Sequence, residues 1–360
     1  MLKKYPAGEQ GPLGPGERLH DLRFLGSGGG AVSLYDDRLF GWPKVLHVAP
    51  TPEAAMAGCA RLAALSDEFH RAETQVFGIT GAAPPENAAL AARLGLCFPL
   101  LCDPDGALVR ALGAGAANGP CTLVFDSILR LEHNIAGQTP EKQIETALEL
   151  VRARAAAQSP TVVTAQAPVL IVPRVLDPDH CRRLMDFWER GDKIQGAVAS
   201  EADRGNTVKL ETKVRTDVAV PDDSAECREL ADVIARRLLP EVLKAFCYRV
   251  TRIETFRIGC YDAADGGHFA AHRDNTSSLT EYRRFAMSLN LNSGDYEGGQ
   301  LRLPEFGPQL YAPGPGGAAV FSCSLLHFVM PVTKGRRFAL FGFLYAEQEE
   351  AIRQRNNARR

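Results

Sequence analysis

Residues 261–274 read YDAADGGHFAAHRD and residues 327–345 read HFVMPVTKGRRFALFGFLY, and these two stretches decide how the second half of the chain is understood. The first holds His272 and Asp274 in an H-x-D spacing; the second opens on His327, 53 positions beyond Asp274. Two imidazoles and one carboxylate are the ligand set of the facial triad that leaves open positions on a non-haem Fe(II). On an extended segment residues i and i+2 project to one face, so His272 and Asp274 can reach one ion while a distant strand brings in His327. An H-x-D alone is a weak signal, and its plain alternative is a solvated turn. The residues after His327 give it weight: a turn over 331–335 and then Arg337 at the start of an apolar strand. A guanidinium there can hold a dicarboxylate through a bidentate pair, the alternative being a surface arginine on a hairpin. Tyr261 either donates its hydroxyl to the same acid or packs, and Gly266 with Gly267 lets the chain turn tightly before the His272 segment. Taking His268 and His272 as a zinc pair on a helix fails, because no Glu follows His268 and the glycines oppose a helix.

Outward from these stretches, short segments at 248–258, 284–291, 300–303, 318–322 and 338–345 alternate with Gly/Pro turns, the rhythm of an antiparallel barrel or jelly roll. They come after a strand expected over 169–175 and helices expected over 177–190 and 224–246. The first half has a different rhythm. Apolar strands at 45–49, 76–80, 98–101 and 122–125 alternate with helical stretches at 53–69, 85–94 and 139–154, which implies an α/β layer structure with a partly parallel sheet. Between them residues 155–168 read AAAQSPTVVTAQAP, small and polar with two prolines, the best linker. The expected organisation is an α/β domain over 15–155, a linker over 156–167, a mainly β domain over 168–348 and a solvated, frayed basic tail over 349–360. A charged, Gly-containing loop over 193–213 is expected to form part of the mouth or lid of the site.

At 360 residues the chain has room for about two domains of roughly 150. A formal net charge of −2 lacks the basic excess of a nucleic-acid binder, so no nucleic-acid partner is expected. Nine scattered Cys with no C-x-x-C argue against a disulfide framework or zinc knuckle and for reduced thiols in the cytosol. The start, MLKKYPAGEQGPLGP, has no apolar run of a signal peptide, and the most apolar stretch, 318–332, is too short to span a bilayer. A soluble, cytoplasmic protein with no membrane partner is the expectation.

The stretch 261–345 resembles the catalytic core of Fe(II)- and 2-oxoglutarate-dependent dioxygenases of the prolyl 4-hydroxylase type. The matched pieces are Tyr261, Gly266-Gly267, Phe269-Ala-Ala-His272-Arg-Asp274, Ser288-Leu-Asn-Leu-Asn292 and Glu297-Gly298-Gly299-Gln-Leu. Pro313 with Gly316, then His327, Pro331-Val332, Gly335 and Arg337 continue the order, and a weaker likeness extends back through Pro168. The resemblance implies a double-stranded β-helix in which His272, Asp274 and His327 bind Fe(II). It also implies that Arg337, with Tyr261 and Ser288, holds 2-oxoglutarate. Arg336 is the competing choice; Arg337 is preferred because Phe343 then falls where many relatives keep a tryptophan. The implied reaction uses O2, with ascorbate as a further candidate, and hydroxylates a peptidyl (for instance prolyl) or small-molecule substrate with release of succinate and CO2.

Residues 15–154 resemble the peroxiredoxin and thioredoxin-like fold through Pro15-Gly-Glu, Trp42-Pro-Lys-Val-Leu-His-Val-Ala-Pro50, Phe98-Pro-Leu-Leu-Cys-Asp-Pro-Asp-Gly106 and Thr122-Leu-Val-Phe-Asp126. Peroxiredoxins need a proline, then threonine four and cysteine seven positions on. Here Pro50 is followed by Ala54 and Ala57, and Pro52 by Met56 and Cys59, so the threonine is absent. Cys59 is either a helix N-terminal thiol of depressed pKa or a buried small apolar residue. Cys97 and Cys102 are a weak redox pair, more simply two core-facing thiols. The departure points to a non-catalytic redoxin, through which the chain can form an oligomer. The competing class is a thiol redox, peroxidase or interaction protein in which this domain carries the function.

Overall fold

The computed structural model describes residues 13–112, 119–157, 162–196, 198–200, 205–207 and 212–357. The chain divides into two compact units, one within residues 10–162 and the other from 163 onward.

In the N-terminal unit the strand Lys44–Ala49 is buried at every position and lies parallel to Gln75–Thr80, which in turn lies parallel to Leu100–Cys102. Cys121–Phe125 and Leu131–Ile135 continue the sheet antiparallel on one side, and Arg23–Leu25 with Ala31–Ser33 close the other, seven strands in all. Alternation along Lys44–Ala49 sends Val45 and Ala49 into one core and Leu46 and Val48 into the other. Thr51 starts the helix Pro52–Ala64 by accepting from the N–H of Ala54 at 3.3 Å, with Pro52 in the first turn. The helix expected over 53–69 is broken at the buried Leu65 (φ −109°, ψ 8°), and Ser66–Arg71 forms a separate short helix. The closing helix runs Pro140–Ala157, beyond the expected end at 154. This is a thioredoxin-like layered fold.

The C-terminal unit is built on two larger antiparallel sheets, with two two-stranded pairs beside them. One runs in the order Leu170–Val172, Ala318–Ser322, Phe285–Asn290, Arg336–Tyr345, Arg257–Asp262, Thr216–Ala219 and Ile194–Gln195, with Arg252–Ile253 also on Arg336–Tyr345. The other runs Lys213–Val214, His268–His272, His327–Val329, Leu301–Arg302 and Leu310–Tyr311. This is the expected double-stranded β-helix. The outer face of the longer sheet packs on the helices Pro178–Arg190, Ala225–Arg237 and Leu239–Phe246 through Val218, Ile258, Leu289, Leu340, Leu184, Trp188 and Ile234.

Several boundaries differ from the sequence reading, each for a local reason. The helix expected over 224–246 breaks at Leu238, because Pro240 has no N–H to continue the ladder and starts a new helix instead. The strand expected over 169–175 is confined to Leu170–Val172. Residues 349–357 are not a frayed tail: Glu347–Asn357 is a helix. Its buried Glu349 accepts from Tyr248 Oη at 2.7 Å, Arg284 Nε at 3.0 Å and the Ala346 N–H at 3.0 Å, which ties the segment down. Residues 358–360 lie outside the described residues. Of the expected lid, Val198–Ser200 pairs with Gly205–Thr207, while residues 197, 201–204 and 208–211 lie outside the described residues. Linker residues 158–161 do too, but Ala165 and Ala167 are bonded to Gln309 and Tyr311 of the second unit. Among the described residues no helix is long and apolar enough to cross a membrane.

Candidate active site

The antiparallel pairing of His268–His272 with His327–Val329 sets His272 directly opposite His327. Asp274 lies two residues past His272, where its N–H donates to the Cys323 carbonyl at 3.0 Å. Each histidine is oriented from behind: Nδ1 of His272 lies 2.8 Å from the Ala270 carbonyl and Nδ1 of His327 3.0 Å from that of Leu325. A carbonyl only accepts, so Nδ1 carries the proton and Nε2 keeps its lone pair. Those lone pairs face the Asp274 carboxylate, with His272 Nε2 3.4 Å from Oδ1 and His327 Nε2 3.3 Å from Oδ2. The three ligand atoms lie within 4.8 Å of one another. Such a set of acceptors repels itself unless a cation or proton lies among them, and its spacing is near the ~3 Å between adjacent ligands ~2.1 Å from an ion. The charge states agree. Burial works to raise the Asp274 pKa, but His327, His272 and Arg283 hold it down to about 2. Burial lowers His327 against the pull of Asp274, which favours neutral imidazole. Phe269 stacks on His272, and Phe321 meets His327 edge-on. His268 is outside this cluster.

On the facing sheet, Tyr261 lies opposite Arg337. Arg337 is only 3% exposed; its Nη2 donates to Ser288 Oγ at 3.1 Å and Asn290 Oδ1 at 2.8 Å, while Nε and Nη1 are buried without a partner. Its guanidinium stands 5.2 Å from the Tyr261 ring centroid. A buried guanidinium with two unused N–H directions is a receptor for an anion. Arg336 points elsewhere, forming a half-exposed ion pair with Glu189 at 2.9 Å. The predicted ligands and the predicted anion-binding group thus line one cavity of about 410 Å3, together with Tyr261, Ser288 and Phe343.

Several buried charges around this cavity were not foreseen. Arg215 forms a two-point pair with Asp217, Nε to Oδ1 at 2.5 Å and Nη2 to Oδ2 at 2.7 Å, and its Nη1 donates to Tyr261 Oη at 3.4 Å. With that acceptor position occupied, the Tyr261 hydroxyl is free to donate elsewhere. A Cβ at Gly259 would meet Asp217 Oδ1 at 2.7 Å and Arg215 Cδ at 2.8 Å, so glycine makes room for the pair. Burial and the adjacent Arg215 push the Lys213 ammonium down to about 7 against the pull of Asp217. Glu254 accepts from Arg283 at 2.6 and 2.8 Å and from Tyr282 Oη at 2.7 Å. Arg283 also donates to the Asp274 carbonyl at 3.4 Å and stacks 3.8 Å from the Phe343 ring. The R-x-D spacing of Arg215 and Asp217 was the available signal.

In the N-terminal unit Cys59 is wholly buried in the body of helix Pro52–Ala64, and burial pushes its thiol up to about 12. The depressed-pKa alternative for Cys59 is therefore overturned. Cys102 is buried and raised, but Cys97 is exposed, so the two are not both core-facing.

Residues 256–345 match the family model described as the 2OG-Fe(II) oxygenase superfamily, and residues 15–133 match that of the AhpC/TSA family. A PKHD-type hydroxylase of Gluconobacter oxydans is 28% identical over 181 residues, 48% of this chain and 76% of that protein. A PKHD-type hydroxylase of Pseudomonas putida is 27% identical over 183 residues, again 48% of this chain and 76% of that one. Among solved structures, peroxidoxin BcpB of Mycobacterium tuberculosis is similar over 39% of this chain and 96% of its own, at 21% identity and a TM-score of 0.35. A Trichoplax adhaerens prolyl hydroxylase, solved with a hypoxia inducible factor oxygen degradation domain peptide, is similar over 52% of this chain and 87% of its own, at 18% identity and a TM-score of 0.42. By these matches the C-terminal unit carries a 2OG-Fe(II) oxygenase domain and the N-terminal unit a domain of the AhpC/TSA type.

Proposed function

We propose that the chain couples oxidative decarboxylation of 2-oxoglutarate to hydroxylation of an unactivated C–H bond. One O2 is split between the substrate, which becomes an alcohol, and succinate, with CO2 released. His272, Asp274 and His327 hold Fe(II), and Arg337 receives the distal carboxylate of 2-oxoglutarate, helped by Tyr261 and Ser288. Bound iron supplies the oxidising chemistry, using 2-oxoglutarate and O2; ascorbate is the reductant to test for keeping it ferrous. The protein's own work is to position and shield. The Ala270 and Leu325 carbonyls fix both imidazoles in the ligating tautomer, Arg215 turns the Tyr261 proton into the cavity, and Phe269 and Phe321 keep water from the histidines.

The observation that carries this reading is the placement of three ligand atoms within 4.8 Å of one another and a guanidinium with two unpartnered nitrogens around a single cavity. Anaerobic titration of the Fe(II)-loaded protein with 2-oxoglutarate tests it. A weak visible charge-transfer band should appear on titration, and succinate should form on admitting O2. Demonstrable iron binding with neither band nor succinate overturns the reading.

A further inference from the structure

The three ligands and Arg337 leave a set of charges in the same cavity that the proposed reaction does not use. On the strand Arg257–Asp262, alternation puts residues 257, 259 and 261 on one face. Tyr261 lies opposite Arg337, and Arg257 lies opposite Phe341, four residues or ~13 Å further along. Two arginines therefore line the cavity from different ends of one strand pair. Of the other cations lining it, Arg215 is matched by Asp217, Lys213 lies 3.6 Å from the same carboxylate, Arg283 is matched by Glu254 and Arg273 by Glu305. Arg257 is half-buried and has neither hydrogen bond nor ion pair for its guanidinium among the described residues. Its charge is felt by Asp217 and Glu254, but both are bonded to other arginines.

A divalent ion and the two carboxylates of 2-oxoglutarate cancel in charge, so loading the site leaves the excess of cations in place. In a partly desolvated cavity that excess selects an anion. We propose that the substrate is a small molecule bearing a carboxylate, which Arg257 receives at the end of the cavity away from Arg337, its apolar part lying along Phe341 and Phe343. This rests on the hydroxylase reading. The anchor lines the same cavity of about 410 Å3 that must also take 2-oxoglutarate, which leaves space for a molecule of amino-acid size.

The test uses the full-length Fe(II)-loaded protein, first titrated anaerobically with 2-oxoglutarate. Failure at that first step overturns the hydroxylase reading itself and is seen before any substrate is offered. The protein amino acids are then added singly, each as the free acid and as its carboxamide, while perturbation of the visible band and succinate release on admitting O2 are recorded. At least one free acid should perturb the band and stimulate succinate, with its amide needing more than ten-fold higher concentration. In Arg257→Gln that acid should weaken at least ten-fold while 2-oxoglutarate affinity stays within two-fold; Arg257→Lys should recover part of the loss. Equal response to acid and amide, response only to N-acetylated, C-amidated peptides, or no response to any free acid overturns the proposal. The acid–amide comparison stands on the unmodified protein, whatever the variants do to folding.

Discussion

Arg337 carries a buried positive charge with Nε and Nη1 unpaired, a cost that a bound anion would offset. Replacing it with a shape-matched apolar residue should separate stability from binding. Arg337→Met is expected to keep thermal stability within about 1 kcal/mol of the parent protein or above it, because an unpaired buried charge is removed along with two hydrogen bonds. The stabilisation that 2-oxoglutarate confers on the metal-loaded parent should vanish; a thermal shift retained in the variant would remove Arg337 from the anion site. Arg215 and Asp217 make the opposite case. Asp217→Ala strands Arg215 and Lys213 without their carboxylate and should cost about 3–5 kcal/mol in denaturant unfolding, whereas Arg215→Met combined with Asp217→Leu should recover most of it. The candidate metal ligands were readable from sequence because H-x-D is a covalent spacing, and Arg337 because the family resemblance expects a basic residue at a fixed step past His327. Arg257 was not, since its meaning depends on which strand lies opposite it and on the absence of a partner, and neither is local.

Elements were legible where a single strong signal set them. The runs 45–49, 76–80 and 318–322 appear within a residue of their expected bounds because each is mainly apolar, and Asp177-Pro178 marks a helix start through its cap. The short strand Leu310–Tyr311 and the edge pair Arg23–Leu25 and Ala31–Ser33 carry too few residues to show a period. The C-terminal helix was missed because its mean composition is polar; its one buried carboxylate is a central tie, beside the Arg252–Glu347 pair, the Tyr345–Glu350 bond and Ile352 packed on Tyr282 and Tyr345. Glu349 serves Tyr248, Arg284 and the Ala346 N–H together. Glu349→Ala should destabilise the C-terminal unit by about 2–4 kcal/mol, since it removes the acceptor of the Tyr248 hydroxyl, of Arg284 Nε and of the Ala346 N–H together. Glu349→Gln should recover part of this by keeping an acceptor. An alanine variant within about 0.5 kcal/mol of the parent would show the helix to be as loosely held as its composition suggests.

At the scale of the whole molecule, the two units answer acid by different chemistry. Around the cavity, Asp217 and Glu254 are lowered: burial alone would raise them, but Arg215 and Arg283 prevail. Their stabilisation is present above the ordinary carboxylate range and is lost only as pH falls through their depressed folded values. The N-terminal unit instead buries a neutral imidazole. His47 sits beside Thr122 Oγ1 at 3.0 Å, with Nε2 unpaired and so close to Gly58 that a Cβ added there would fall 2.1 Å from it, and burial pulls its pKa from 6.5 down to about 4. Between those values the unfolded chain binds a proton that the folded unit refuses. Stability from this source is therefore complete above about pH 6.5, falls by roughly 1.4 kcal/mol per pH unit below it, and stops falling near pH 4, a total of about 3 kcal/mol. Trp42 and Trp188 are the two tryptophans, one in each unit, so a Trp188→Phe background leaves Trp42 to report on the N-terminal unit. In that background, denaturant unfolding at pH 7 and pH 5 should show a loss about 2 kcal/mol larger with His47 present than in His47→Gln. Equal losses would mean that His47 is protonated in the folded protein, and the close approach of Gly58 to its ring could not then hold as described.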